Sequence, residues 1–353
     1  KRVLNHKQFV GHPLRKDYEI TKGQICTHTE DLMDEMTPLL HSKGYSDEEI
    51  KDLMLLKKTS MLLNKKISVW YFIREIKTQI LLIGIFAIAI GLLDELPWFR
   101  KISLPLNIPA LLGTAVSLLL AFRTSQSYER WWEARTVWGA VVNDSRTFVR
   151  LIIQFMPSDD DKTVKDFAER QIIWTYALGE SLRKLPFSEK VQQYLDKHQI
   201  NGANIPNAIL DEHSRQLKET AFSKGLTDFQ QMQLNDIITR LCDSMGKCER
   251  LKNTVFPRSY SVLVHILIYV FAAILPFGLD DSQLLVEIAI TFLVPVTFIA
   301  IEKTSIIMQD PFENGPVDTP MTSLAQTIEI NIRQMIGEQN VPPKKENTSY
   351  YEM

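Results

Sequence analysis

The sequence predicts an all-α membrane protein with four spans, whose long helices continue from the bilayer into a helical cytoplasmic body. Three observations lead to this prediction. Four long apolar runs interrupt an otherwise polar chain of 353 residues. Strand-like alternation is scarce between them. The second run passes, without an intervening Gly or Pro, into a charged segment rich in tryptophan.

Each apolar run has a length that suits a bilayer. The first, about residues 70–93, contains "ILLIGIFAIAIGLL" and begins with aromatic residues typical of the headgroup region. The others cover about residues 104–122, 260–279 and 284–301. A buried helix of a soluble protein is the alternative for any single run. Four such runs, with short links within each pair, instead predict four membrane spans.

Positive charge sets the predicted orientation. The link "GLDDSQ" between the third and fourth spans has no Lys or Arg, whereas Lys and Arg flank the opposite ends of the spans. The positive-inside rule therefore places both termini and the long middle segment in the cytoplasm. We expect residues 1–60 to be a cytosolic extension or an added segment of unknown function, 61–340 to be the main domain, and 341–353 to be a disordered tail. The cytoplasmic body comprises residues 123–259 and 302–340.

This cytoplasmic body is expected to be helical. The segment "DDDKTVKDFAERQIIWTYALGESLRKL" repeats apolar residues at helical spacing after an acidic start. The segment "GLTDFQQMQLNDIITRLCDSMGKCERL" has the same pattern, with Thr227 or Asp228 as its N-cap. After the fourth span, "MQDPFENGPVDTP" predicts a loop, and the last helix is expected to end at Gly337.

Several function classes find no support in the sequence. A formal net charge of −2 gives no basic field for nucleic acid. The three cysteines, Cys26, Cys242 and Cys248, lack the spacing of a zinc site. No GxSxG, HExxH or complete GxxxxGK[ST] motif occurs, so we expect neither an enzyme nor a bound cofactor.

The second run and its continuation, "SLLLAFRTSQSYERWWEARTVWGAV", present distinct faces on a helix. One stripe changes from apolar to polar as it leaves the membrane. A neighbouring stripe of small residues allows close helix packing, and an aromatic–guanidinium band suits interhelical packing and cation–π contact. The three sets are Thr114, Leu118, Phe122, Ser125 and Glu129; Gly113, Ser117 and Ala121; and Tyr128, Trp131, Arg135 and Trp138.

The first stripe suggests a pore. One helix cannot enclose a pore, but several copies around a symmetry axis can. The first three members of the stripe would then form stacked rings and a hydrophobic constriction, with the two polar members below it in water. The alternative is that the stripe is only the core of a helix bundle. The charged half could equally be a salt-bridged helix in which Arg130 pairs with Glu133.

The run "FRTSQSYERWWEARTVWG", residues 122–139, resembles the signature of the bestrophin family of ion channels. Members carry a similar run with Asn where this chain has Thr124. The segments "CERLKNTVFP", "LPFGL" and "DPF" match at fitting distances, and the resemblance covers about residues 61–337. The signature residues in this chain are Arg123, Tyr128, Arg130, Trp131, Trp132, Glu133, Arg135 and Trp138.

This resemblance implies a homopentameric ion channel with a helical cytoplasmic vestibule. The neck positions fall on Thr114, Leu118 and Phe122, where Thr114 departs from the usual bulky apolar residue, and a cytoplasmic restriction falls on Phe229. Its partners would be membrane lipid, small inorganic ions and further copies of itself, without nucleic acid. The compact form resembles bacterial members, which implies a multi-pass protein of the bacterial inner membrane.

Calcium binding has little support in the sequence. Animal bestrophins bind calcium through an acidic run after a matching Pro-Phe. This chain offers only Asp310 and Asp318 there as weak ligand candidates. Because calcium takes about six to eight oxygen ligands, no metal site is expected.

Ion selectivity is predicted from charges outside the neck, because the neck itself is uncharged. Acidic residues at the outer mouth favour monovalent cations over chloride, and two basic residues oppose them. These residues are Asp94, Glu95, Asp280 and Asp281, against Arg100 and Lys101. The alternative function is a non-conducting membrane scaffold or regulatory module that acts through the cytoplasmic body.

Overall fold

The computed structural model describes residues 73–94, 104–157, 159–254, 256–279, 284–315, 317–339 and 341–343, all within the unit Ile67–Met353. The predicted extension 1–60 and most of the predicted tail lie outside these residues. The structure is 82% helix and shows no strand among the described residues. The predicted all-α fold class is therefore confirmed.

Nine α-helices and one short 3₁₀ helix occur in the described residues. Pro276–Gly278 forms the 3₁₀ helix. The α-helices are α1 Lys77–Asp94, α2 Asn107–Phe155, α3 Asp161–Leu182, α4 Glu189–His198, α5 Ile205–Lys224, α6 Asp228–Asn253, α7 Arg258–Ile274, α8 Leu284–Gln309 and α9 Met321–Met335.

Helix α2 runs for 49 residues without a break, which is about 74 Å at the rise of an α-helix. Its only proline, Pro109, lies in the first turn, where the missing N–H costs no helical hydrogen bond. Gly113 allows a close approach, since a Cβ there would lie 2.9 Å from Cε2 of Phe271 on α7. The predicted continuation of the second span into the cytoplasmic body is thus a single helix.

Two hydrophobic cores lie along this helix. The first joins α1, α2, α7 and α8 and includes Val116 and Leu120 of α2. The second joins α2 to α3, α4, α5, α6 and α9, and its largest fully buried side chains include Trp138 and Trp174. Helix α2 therefore contributes to two apolar cores, one in the part predicted to span the membrane and one in the predicted cytoplasmic body.

Helix ends follow recognisable capping chemistry. Thr227 is the N-cap of α6 and forms a capping box with Gln230, which decides between the two predicted candidates. Gly225 ends α5 in a left-handed conformation, with φ of 68°. Helix α9 ends at Met335, and Gly337 follows with φ of 75°, so the predicted glycine terminates the helix from two residues beyond it.

The predicted count of four spans is not confirmed by helix length and composition. Within the described residues, α2 and α8 are long and apolar enough to cross a membrane, and α6 with α7 passes as a pair bent by 45°. The apolar helix Lys77–Leu93 is shorter than that limit. The third predicted span ends early because Pro276 cannot continue the helix, and the fourth continues to Gln309.

Candidate pore-lining face and its supporting contacts

The stripe predicted from sequence lies on one exposed face of α2. Leu118 is 57% exposed and Phe122 is 58% exposed, although both are large and apolar. The inward face of the same helix is buried. All five stripe members, Thr114, Leu118, Phe122, Ser125 and Glu129, are exposed. The described residues of the same chain therefore leave this face uncovered.

A groove borders this face on each side. A mostly apolar groove of about 490 Å³ between α2 and α8 is lined by Ser117, Ala121 and Tyr128. A cleft of about 400 Å³ between α2 and the start of α7 is lined by Gln126 and Glu133. At about 100° per residue, the two sets of α2 residues lie on opposite flanks of the stripe.

The small-residue stripe is partly packed within the chain and partly exposed to one of these grooves. Gly113 packs within the chain, since its missing Cβ makes room for the ring of Phe271. Ser117 and Ala121 instead line the groove beside α8, and the Ser117 hydroxyl donates to the Gly113 carbonyl at 2.8 Å. Of the predicted close-packing surface, only Gly113 packs against another helix of the described chain, whereas Ser117 and Ala121 remain exposed to the groove.

The first half of the signature joins α2 to α8 through buried polar contacts. Arg123 is 2% exposed, and its Nη1 donates to Oε1 of Glu302 at 3.2 Å. The other carboxylate oxygen of Glu302 lies 3.0 Å from Nδ1 of His265 on α7. Thr124 replaces the Asn of the family pattern, and its hydroxyl is 2.7 Å from that of Ser305.

The second half of the signature joins α2 to two helix ends and a loop. Arg130 donates through Nε to the Gln309 carbonyl at 2.9 Å and through Nη2 to the Leu251 carbonyl at 2.8 Å. Trp131 Nε1 donates to the Val317 carbonyl at 2.6 Å. The ends of α6 and α8 and the loop after α8 are thereby attached to α2.

The alternative pairing of Arg130 with Glu133 is wrong. Glu133 pairs with Arg250 on α6 at 2.6 Å, because α6 packs alongside α2 and offers a cation across the helix interface. Arg130 is committed to two backbone carbonyls instead. The charged half of the helix is therefore an attachment surface for other elements.

The aromatic band of α2 divides in the same way. Trp138 is fully buried in the cytoplasmic core, whereas Tyr128 and Trp132 are about half exposed. Ring contacts join Tyr128 to Trp131 at 5.8 Å and to Trp132, nearly parallel, at 6.4 Å. Arg135 lies on the same helix and is partly buried. The exposed rings border the face that carries the stripe.

The loop proposed as a weak calcium site contains a lysine ammonium group. Nζ of Lys252 lies 3.3 Å from Asp310 Oδ2 and 2.5 Å from Glu313 Oε1, and its side chain is 8% exposed. The Lys252 hydrogen bond lowers the pKa of Glu313. Asp318 accepts from the Gly315 N–H at 2.8 Å, and burial raises the pKa of its carboxyl.

These contacts leave little coordination capacity for a metal. Among the described residues, no group of three or more His, Cys, Asp or Glu side chains could hold a metal ion. Sequence reasoning missed Lys252, which is the penultimate residue of α6 and lies 58 residues before Asp310 in the chain. Its position in "CERLKN" marked a family match without indicating this role.

The predicted cytoplasmic restriction is also exposed. Phe229 is 77% exposed in the first turn of α6, and Met232, one turn further, is 66% exposed. The described residues of the same chain therefore leave both side chains uncovered. The side chains assigned to the outer mouth, Asp94, Glu95, Arg100, Lys101, Asp280 and Asp281, are not among those that the structure describes.

Taken together, the apolar helices, the long α2 and its open face define a helical membrane protein. The model of the Bacterial/Fungal Bestrophin protein family matches residues 58–334. The chain therefore belongs to the bestrophin family, as the signature predicted.

Curated relatives cover most of the chain. The voltage-dependent anion channel-forming protein YneE of Escherichia coli strain K12 is 29% identical over 297 residues, which are 82% of this chain and 96% of that protein. The voltage-dependent anion channel-forming protein sll1024 of Synechocystis is 25% identical over 278 residues, or 77% of this chain and 89% of that protein.

Solved structures show the same fold. A bacterial bestrophin homologue from Klebsiella pneumoniae superposes with a TM-score of 0.70 and 24% identity, covering 75% of this chain and all of that one. A single-site variant of that homologue superposes with a TM-score of 0.70 and 25% identity, covering 74% of this chain and 99% of that one. The bestrophin-like helical architecture of this chain is thereby shown.

Proposed function

We propose that this chain forms an ion channel in which several copies surround an axis and α2 of each copy lines the pore. The observation that carries the proposal is the uncovered stripe, in which Leu118 and Phe122 are more than half exposed. A lipid-facing helix also exposes apolar side chains, but this stripe continues directly into Ser125 and Glu129. A pore that leads into an aqueous vestibule requires that change in polarity.

The two grooves support assembly into a ring. In a cyclic oligomer each subunit uses two different surfaces for its two neighbours, and the stripe on α2 is bordered by a different groove on each flank. The bestrophin resemblance favours five copies. We further propose that residues 61–340 form the channel domain in a bacterial inner membrane, with both termini cytoplasmic. Lipid, small ions and identical subunits would be its partners.

The neck is assigned to rings of Thr114, Leu118 and Phe122. Rings of Leu and Phe exclude water from a narrow pore and so form a barrier that opens by wetting. Thr114 makes the outer ring more polar than the other two. Phe229 is assigned to a second restriction at the cytoplasmic exit, which its 77% exposure permits.

The preference for cations over chloride is the most specific part of the proposal. Besides the acidic residues of the outer mouth, we assign the preference for cations to Glu129, which is exposed on the stripe. The relatives are named as anion channel-forming proteins, and this gives the preference for cations no support. If Glu129 lies near the axis, Glu129→Gln should move the reversal potential in a KCl gradient towards that of Cl⁻.

A planar bilayer recording tests the channel and its neck. Purified protein in a KCl gradient should give resolved unitary currents, and the Leu118→Ala/Phe122→Ala variant should give larger ones because its neck is wider. Leu293→Ala is the matched control, since Leu293 on α8 is 58% exposed and lies off the stripe. Equal currents from well-assembled wild type and neck variant would refute the neck.

Other outcomes separate the remaining functions. Silence from verified, inserted oligomers of both wild type and neck variant would favour the non-conducting scaffold. Flux that saturates with ion concentration, without resolved unitary currents, would indicate a carrier. The family is a family of channels and not of enzymes, so the assays concern transport.

A further inference from the structure

One buried carboxylate joins three membrane-associated helices directly below the proposed neck. Glu302 on α8 is 4% exposed. Its Oε1 accepts from Arg123 of α2 at 3.2 Å, and its Oε2 lies 3.0 Å from Nδ1 of His265 on α7. The guanidinium of Arg123 also lies over the ring of Phe256, 5.5 Å from its centroid. Both charged groups of the pair are enclosed by protein.

We propose that Glu302 is a positioning residue for the neck, because it fixes the rotation of α2 through Arg123 and so fixes the direction of Phe122. This inference rests on the proposed channel function. Arg123 follows Phe122 in the chain, and consecutive residues of a helix point about 100° apart. While Arg123 is held towards α8, Phe122 remains on the exposed face, where it is 58% exposed.

The energetics favour this pair over its neighbours as the fixing contact. A rotation of α2 that withdraws Phe122 from the axis must separate two buried, opposite charges, and an unpaired buried charge is strongly unfavourable. The neighbouring link between Thr124 and Ser305 joins two neutral hydroxyls at 2.7 Å. Its loss costs less, because neutral hydrogen bonds contribute less than charge-assisted ones.

The same pair could instead act only as a structural contact between α2 and α8. A structural contact would affect assembly and stability without regard to the side chain at position 122. A positioning contact acts on conduction through Phe122, so its effect should vanish once that ring is removed. A double-mutant cycle separates these two roles, because it measures the dependence of one substitution on another.

The test records unitary currents in planar bilayers from size-verified oligomers. Glu302→Gln alone leaves a buried Arg123 charge without its carboxylate and can prevent folding. The variant that replaces both partners, Arg123→Gln/Glu302→Gln, avoids an unpaired charge. We expect it to change the open probability by about tenfold, within the usual range of coupling between sites. Arg123→Lys, which preserves the charge pair, should give a smaller change in the same direction.

Two further variants complete the test. In the Phe122→Ala background, Arg123→Gln/Glu302→Gln should have no additional effect on the open probability. Ser305→Ala, which removes the neighbouring link between the same two helices, should leave the open probability of the wild type unchanged.

An equal change of open probability in the wild-type and Phe122→Ala backgrounds would overturn the positioning role and leave a structural one. An unchanged open probability in both Arg123→Gln/Glu302→Gln and Arg123→Lys would overturn it as well. A wild-type oligomer without resolved currents would refute the channel itself, which is a different result from a conducting wild type with insensitive variants.

Discussion

Arg130 should be the most stability-sensitive polar residue of the second half of the signature. Its guanidinium donates to the Gln309 and Leu251 carbonyls at 2.9 and 2.8 Å, and the side chain is partly buried. Hydrogen bonds that involve a charged group contribute about 1.5–3 kcal/mol each. Since partial exposure lowers that value, we expect Arg130→Met to reduce the stability of the fold by about 3 kcal/mol.

The assay is thermal unfolding of the detergent-solubilised oligomer, followed by tryptophan fluorescence. At an unfolding entropy of about 2.1 cal/mol/K per residue, a loss of about 3 kcal/mol corresponds to a decrease of about 4 °C in the unfolding midpoint for a chain of this size. Arg130→Lys should recover about half of that decrease, because an ammonium on a flexible stem reaches one carbonyl but lacks the planar fork.

Arg150→Met is the matched control for this prediction. Arg150 lies on the same helix and is exposed, so its replacement should leave the midpoint unchanged. Equal midpoints for wild type and Arg130→Met would refute the reasoning. Such a result would mean that the ends of α6 and α8 remain in place without the Arg130 guanidinium.

Two further predictions concern the cytoplasmic body. Asp160, the N-cap of α3, accepts from Thr163 and pairs with Lys224, whose hydrogen bond lowers the pKa of the Asp160 carboxyl. Asp160→Ala should cost about 1 kcal/mol at neutral pH. A lowered pKa contributes stability above the unfolded-state pKa of about 4. The difference in unfolding free energy between wild type and Asp160→Ala, measured with denaturant, should therefore shrink as the pH falls below that value. Burial raises the pKa of the Cys248 thiol to about 12. A maleimide at neutral pH should therefore label the exposed Cys242 much faster than Cys248, as measured by peptide mass spectrometry; equal rates would show that the body opens around Cys248.

The predictable part of this molecule is the part encoded locally. The pattern of α2 predicted a helix through the membrane boundary, because propensity and periodicity are properties of neighbouring residues. Thr227 with Gln230 three residues later is likewise a local capping signature. The exposure of Leu118 and Phe122 agrees with the predicted stripe, although the pore itself stays a prediction.

The missed features depend on residues far apart in the chain. Arg123 and Glu302 are 179 residues apart, and only the packing of α2 against α8 brings them together. Lys252 likewise reaches the loop after α8 only because folding brings the end of α6 to that loop. Sequence reasoning could have noted that Arg123 and Glu302 each lie one residue beyond a predicted span. It had no means of pairing them.

Two helices of the predicted cytoplasmic body, α4 and α5, were not predicted individually. The sequence predicts them only as part of a helical body, without bounds of their own. In the structure α4 packs on α3 through Val191 and Tyr194, which are almost completely buried. Their burial depends on the surface that α3 provides, so the tertiary context determines these elements.

The membership of α2 in both hydrophobic cores has a consequence for how such a protein can be divided. Val116 and Leu120 belong to the core of the membrane-spanning part, and Trp138 and Phe148 belong to the core of the cytoplasmic body. No peptide bond separates the two without cutting this helix or depriving one core of its side chains. The predicted cytoplasmic body is therefore not a module that recombination could exchange, and substitutions that change its packing act on the same helix that is long and apolar enough to cross a bilayer.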